Sequence, residues 1–318
     1  MSSQPPPLET QSSAPPSALL TFANVSKWSG QVSALMDISF AVRGEVVGLV
    51  GRNGAGKSTL MKLASGLLRP SEGQVLVCGD DASTARARAQ LGFCPDLDRL
   101  YERQTGREFV AWMLRLHGAS AAAARQRAGD VLQELGLGEH MHRRVCEYSK
   151  GMRQRVRLAQ ALAHSPKILL LDEPMTGLDP IARHELAQQI MTLARNGIGV
   201  LISSHVLHEL EAMVNRVLLI HQGRLLAEGR VAELRGQLRG QPHRLRLISE
   251  CPRDLAAALV PLSQVVGMQL SPNAVEVSLS GEPGFYGALT KIAAARDLVS
   301  EAVPLDDSLA SVFGYLVG

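Results

Sequence analysis

With 318 residues, 46% of them apolar and 20% charged, the chain has the composition of a globular protein long enough for a sizeable core. A net charge of +3, scattered along the sequence, excludes nucleic-acid binding as a conclusion from charge alone. Four separate cysteines (Cys78, Cys94, Cys146, Cys251) with no C-x-x-C pair argue against a metal knuckle or a disulfide framework and fit a reducing compartment.

Met1–Ser17 is rich in Ser, Pro and Gln, without a basic start or an apolar stretch. It reads as a disordered tail and not as a secretory signal. Leu19–Trp28 and Ile38–Val42 read as antiparallel strands. Glu45–Val50, an apolar run that stops at glycine, reads as a buried strand. Lys57–Leu68 has helical spacing, and Gln74–Cys78 and Leu91–Cys94 read as further strands. Between Asp98 and His164 the strands give way to helices at Gly106–His117, Ser120–Leu135 and Ser149–His164. Strands return at Lys167–Leu171, Val200–Ser203 and Val217–His221, with helices at Pro180–Arg195 and Val206–Asn215. This alternation predicts a mostly parallel sheet covered by helices on both faces. No apolar run approaches the roughly 18 residues a membrane span needs.

A weaker boundary falls at Arg235–His243. Beyond it come a strand (Arg244–Ser249), a helix (Pro252–Leu259), two strands (Val265–Leu270 and Ala274–Leu279), a helix (Gly284–Ala295) and a strand (Leu298–Val303), with a last helix from Asp306. The order β-α-β-β-α-β is the ferredoxin-like split pattern.

Gly51-Arg52-Asn53-Gly54-Ala55-Gly56-Lys57-Ser58-Thr59 matches G-x-x-x-x-G-K-[ST] between a strand and a helix. Glycines let the backbone curl until successive N–H groups face a phosphate chain, and the helix adds its positive N-terminal end. Lys57 suits the β- and γ-phosphates, and the Ser58 hydroxyl suits Mg²⁺. The motif by itself indicates a nucleoside triphosphate.

Lys167-Ile168-Leu169-Leu170-Leu171-Asp172-Glu173-Pro174 is an apolar strand ending in two carboxylates. Adjacent strand residues point to opposite sides, so the two take separate roles. Asp172 suits the Mg²⁺ shell. Glu173 suits the attacking water, as general base or orienting group.

Tyr148-Ser149-Lys150-Gly151-Met152-Arg153-Gln154-Arg155 opens a helix upstream of that strand. It resembles the L-S-G-G-Q signature of ATP-binding-cassette (ABC) ATPases, in the Y-S-K-G-M-x-Q-R form of type-2 bacterial exporters. Thr176-Gly177-Leu178-Asp179 resembles their D-loop, and Ser203-Ser204-His205 their switch histidine. The resemblance covers about residues 19–235 and implies a P-loop ATPase core with an antiparallel β subdomain and a helical insert. It also implies roles for individual residues. Ser149 and Gly151 would face the γ-phosphate of a partner cassette, His205 would contact the γ-phosphate, and Asp179 would brace the interface. Arg153, Arg155 and Arg157 read as a solvated helix face and signature packing in preference to a nucleic-acid site.

Two positions depart from the family pattern. Asp96 stands where the family carries the Q-loop glutamine; a carboxylate there can reach Mg²⁺ or a water. Ser29 stands where an aromatic ring stacks on adenine, with Trp28 beside it, so that either Trp28 substitutes or base stacking is weak and purine selectivity loose, with Trp28 as plain strand packing. Lys150 and Met152 replace the commoner Gly and Gln of the signature.

The division expected is a tail (1–18), a nucleotide-binding domain (19–236, helical subdomain about 98–164) and a C-terminal α+β accessory domain (243–318). The resemblance implies an ATPase using ATP and Mg²⁺, and a pair formed with a second copy or a paralogous cassette. A separate integral-membrane permease would meet the Asp98–Gln104 region, at the cytoplasmic face of a bacterial inner membrane, with no nucleic acid involved. The alternatives are a soluble cassette ATPase acting on ribosomes or DNA, whose relatives carry tandem cassettes, a coiled coil or zinc motifs absent here, and a non-catalytic nucleotide sensor.

Overall fold

The computed structural model describes residues 18–96, 100–205, 213–230, 243–280, 284–296 and 298–305, together with Leu210 and Glu233. The expected tail, Leu97–Arg99, most of Val206–Asn215, the Arg235–His243 boundary up to its last residue, and the helix from Asp306 lie outside the described residues.

A six-stranded sheet organises the first part of the chain. Its members are β3 (Val46–Val50), β6 (Leu91–Cys94), β7 (Ile168–Asp172), β8 (Gly199–Ser204), β9 (Arg216–His221) and β10 (Arg224–Arg230), in the order β10-β9-β3-β8-β7-β6. All pairings are parallel except that of the edge strand β10. β3, β7 and β8 are buried at every residue, as continuous apolar runs in a parallel sheet require.

The period of two along these strands sorts their side chains into two cores. Leu169, Leu171, Val200 and Ile202 enter one, while Ile168, Leu170, Leu201 and Leu49 enter the other. The first core is closed by α3 (Gly106–Leu116), α4 (Ala121–Glu134) and α5 (Lys150–Leu162) through Phe109, Leu132 and Leu158, and by α6 (Pro180–Arg195) through Ile190. The second is closed by α1 (Lys57–Ala64) and an antiparallel sheet of β1 (Leu20–Ser29), β2 (Val32–Val42), β4 (Glu72–Val77) and β5 (Asp80–Asp81). Each fully buried leucine contributes about 2–3 kcal/mol of transfer free energy, so both faces hold the sheet firmly.

Local chemistry sets the helix starts. Thr105 and Glu108 form a capping box at α3, with the Glu108 N–H donating to Thr105 Oγ1 at 3.2 Å and the Thr105 N–H to Glu108 Oε2 at 2.9 Å. Ser149 caps α5, and Asp179 caps α6 ahead of Pro180.

Some boundaries differ from expectation. β2 begins at Val32, well ahead of Ile38, because bulges against β1 and the positive φ of Asp37 interrupt the alternation on which a strand reading depends. α1 ends at Ala64, short of Leu68, where Gly66 turns to φ 70°. β14 (Glu301–Pro304) starts three residues after Leu298. β10, the two-residue β5 and α2 (Ala85–Ala89) were not expected; β10 alternates exposed and half-buried residues along a sheet edge and buries none of them.

Residues 243–305 build a third sheet from β11 (His243–Ile248), β12 (Val265–Ser271), β13 (Ala274–Leu279) and β14, ordered β12-β13-β11-β14 and antiparallel throughout. α7 (Pro252–Leu259) and α8 (Phe285–Arg296) pack on one face through Leu255, Leu259, Phe285 and Leu289 over Leu245, Leu247, Val275 and Val277. This is the ferredoxin-like arrangement.

Candidate active site

The sheet order places the predicted motifs side by side at the carboxyl ends of neighbouring parallel strands, where α/β sheets bind ligands. The glycine loop follows β3, His205 follows β8, Asp172 ends β7 with Glu173 next to it, and Asp96 follows β6.

The loop is shaped by steric exclusion. A Cβ on Gly51 would lie 2.4 Å from the Ile220 carbonyl oxygen. One on Gly56 would lie 2.7 Å from Leu35 Cδ2, at a φ of 111° that side chains rarely adopt. The turn of the β9–β10 hairpin ties the loop to β2. The Gly223 N–H donates to the Ala55 carbonyl at 2.9 Å, and the Met36 N–H donates to the Gly223 carbonyl at 2.8 Å.

Lys57 is buried, and its Nζ donates to the Gly51 carbonyl at 2.7 Å and pairs with Glu173 Oε1 at 3.2 Å. The other oxygen of Glu173 meets His205 Nδ1 at 2.7 Å. With Nδ1 protonated, the ring donates to the carboxylate and keeps Nε2 as an acceptor. The Glu173 carboxylate is thus held between a loop cation and an imidazole. Ser203, which the sequence reading passed over as a candidate, bridges the acidic pair. Its hydroxyl donates to Asp172 Oδ1 at 2.7 Å and accepts from the Glu173 N–H at 2.9 Å. Its signal was there to be read: a hydroxyl at the end of an apolar strand buried throughout.

A cavity of about 880 Å³ opens over the loop. It is lined by Arg52, Asn53, Gly54, Gly56, Lys57, Ser58 and Thr59 together with Asp96, Glu173 and His205. A second, of about 570 Å³, is lined in part by Ser58, Asp96 and Asp172. Ser58 and the carboxylates Asp96 and Asp172 are hard oxygen donors, the set that suits Mg²⁺ shared with substrate phosphates. Burial, and then repulsion by Asp172 and Glu173, lift the Asp96 carboxyl above the usual carboxylate range. A cation placed among these groups relieves that crowding, so the residues fit the ion.

Other predicted residues lie elsewhere. Ser149 Oγ accepts from the Met152 N–H at 3.3 Å, Gly151 packs toward Ala182, and Asp179 Oδ1 accepts from the Ala182 N–H at 2.9 Å. None of the three lines the loop cavity. Trp28 does not line it either; it is 39% exposed in β1, and its backbone N–H donates to Ser71 Oγ at 3.2 Å. Val32, Ala34, Met36, Arg224 and Leu226 form the wall next to β2 instead. The KM for ATP of a Trp28→Ala variant is therefore expected to stay within about twofold of the parent, since Trp28 is not among the residues that line the cavity. Steady-state phosphate release against ATP concentration tests this, and a tenfold rise in KM would return Trp28 to the site.

The profile of the family described as "ABC transporter" matches residues 35–176. A second profile, described as "AAA domain, putative AbiEii toxin, Type IV TA system", matches residues 142–211. The chain is 37% identical over 271 residues to Nod factor export ATP-binding protein I of Burkholderia orbicola (strain AU 1054), covering 84% of this chain and 85% of that protein. The chain belongs to the ABC transporter ATP-binding proteins. NatA, an ABC transporter ATP-binding protein of Bacillus subtilis (strain 168), is 37% identical over 64% of this chain and 84% of its own length. Among solved structures, an ATP-binding subunit of an ABC transporter superposes with a TM-score of 0.63 at 33% identity, covering 69% of this chain and 93% of that one. The cassette is thus an ATP-binding and ATP-hydrolysing subunit whose turnover energises transport. ABC ATP-binding subunits generally work with membrane permease subunits. In this chain, no described helix is long and apolar enough to cross a membrane.

Proposed function

We propose that the cassette works as one of a pair that closes over two ATP molecules, and that it powers export through a separate permease at the cytoplasmic face of the membrane. The observation that carries the pairing is the division of the predicted site. Glu173, Lys57 and His205 converge on the loop cavity, whereas Ser149, Gly151 and Asp179 are gathered around the starts of α5 and α6, outside that cavity. The start of α5 offers uncommitted N–H groups and a positive helix end, so a second copy can present it to the γ-phosphate. Export is supported by the names of similar proteins, a Nod factor export protein and the linearmycin resistance protein LnrL of Bacillus subtilis (strain 168), and by the Y-S-K-G-M signature. The domain boundaries proposed are residues 19–236 for the cassette and 243–318 for the accessory domain, whose core is separate from the other two.

In the mechanism, the loop amides and Lys57 would hold the phosphate chain. Glu173 would take the proton of the attacking water, and His205 would keep the Glu173 carboxylate aimed. Ser58, Asp172 and Asp96 would hold Mg²⁺, which when bound neutralises β- and γ-phosphate oxygens.

Ser149→Arg is expected to bind a fluorescent ATP analogue about as tightly as the parent while losing roughly 10²-fold or more of its turnover, the scale of a removed transition-state contact. The parent's specific activity is expected to rise with chain concentration. Retained turnover in Ser149→Arg, at any concentration, overturns the pairing.

A further inference from the structure

We propose that Ser203 is a positioning residue for hydrolysis, setting both carboxylates of the acidic pair through one hydroxyl. The inference rests on the catalytic reading of Glu173 given above and extends it to a residue outside the loop cavity.

The register of β7 and β8 creates the contact. Asp172 is the Cα partner of Ser203, and laterally paired strand residues share a face, so the Ser203 hydroxyl and the Asp172 carboxylate point the same way. The hydroxyl has one proton and two lone pairs. Its proton goes to Asp172 Oδ1 at 2.7 Å, and a lone pair receives the Glu173 N–H at 2.9 Å. Ser203 has no exposed surface and Asp172 is 5% exposed, so water does not replace either bond at Ser203.

Both bonds act where geometry matters. Glu173 sits at φ 49°, in the left-handed region that a side chain disfavours. Relaxation to ordinary extended backbone would swing its carboxylate out from between Lys57 and His205. The Ser203 bond to the Glu173 N–H resists that rotation. The bond to Oδ1 selects one rotamer of Asp172 and leaves Oδ2 for the ion. One hydroxyl therefore locks the metal-side carboxylate and the water-side carboxylate into a fixed relation, the task of an outer-shell group.

The test compares Ser203→Ala, Ser203→Thr and Glu173→Gln, alone and combined, in the full-length chain. Ser203→Ala is expected to lower kcat by roughly 10- to 100-fold, the cost of removing an outer-shell orienting bond, with KM for ATP within about twofold. Equilibrium binding of a fluorescent ATP analogue with Mg²⁺ should change less than about threefold. Ser203→Thr, which keeps the hydroxyl, should recover most of kcat. In the Glu173→Gln background Ser203→Ala should cost little more, because groups acting as one unit are not additive. The proposal is overturned if Ser203→Ala keeps kcat within about twofold. It is equally overturned if nucleotide affinity falls in proportion to kcat, if Thr fails to rescue while the protein binds nucleotide normally, or if the two substitutions add. If Glu173→Gln itself retained turnover, the reading of Glu173 would fail first, and that outcome is separately visible in the single variant.

Discussion

Glu173→Gln will bind ATP and all but stop hydrolysing it. The substitution keeps the size of the side chain and removes its charge and basicity. In the parent, the carboxylate is 10% exposed, with Lys57 Nζ at 3.2 Å on one oxygen and His205 Nδ1 at 2.7 Å on the other. A carboxylate so placed can accept a proton from water; an amide cannot. General-base steps of this kind are worth roughly 10²- to 10⁴-fold, and a fall of that size in phosphate release is expected. Binding should persist, because Lys57 retains its contact with the Gly51 carbonyl and the loop keeps its shape. Phosphate release and equilibrium binding, measured on one preparation, separate the two. Turnover within threefold of the parent would remove Glu173 from the mechanism.

Gly56→Ala will lose nucleotide binding and stability together. The added methyl group would be forced to a φ of 111°, a strain of about 1–3 kcal/mol. It would also lie 2.7 Å from Leu35 Cδ2 and 3.0 Å from the Ala34 carbonyl, adding about 1–3 kcal/mol of overpacking. An unfolding free energy from denaturant titration lowered by about 2 kcal/mol or more, with ATP binding reduced below detection, is the expected pair of results. Gly54→Ala supplies the contrast: its φ is 83°, but nothing lies within 4 Å of the new carbon, so only the backbone strain remains and the stability loss should be smaller. Equal losses in the two variants would mean that contact with β2 plays no part in shaping the loop.

The phosphate loop and the acidic strand end were legible because their chemistry is local. Glycines at fixed spacing, a lysine at the helix start and carboxylates closing an apolar strand each carry their meaning within a few residues. The parallel strands were legible for a similar reason, since β3 and β7 are buried on both faces and read as unbroken apolar runs. β10 was not, because an edge strand with alternating exposure resembles a loop. The start of β2 was hidden by bulges, which break the two-residue period without ending the strand. Trp28 shows the limit of reading by position: its cross-strand partner Ser33 lines the cavity, and Trp28, next to the expected stacking residue, is not among the lining residues.

By itself, the sequence determined that this chain carries a nucleoside-triphosphate loop and which residues are proposed to cut its ligand, since residue type and short spacing decide donors, acceptors and charge. Only the tertiary structure decided how those groups meet. The order β3-β8-β7-β6 sets the glycine loop, His205, Glu173 and Asp96 in a row, although β8 follows β3 only after most of the cassette has been laid down. Strand order and register come from packing two apolar faces against different partners, a condition no short stretch contains. That same register, Asp172 beside Ser203, turned an unremarked buried hydroxyl into the group that ties the acidic pair together.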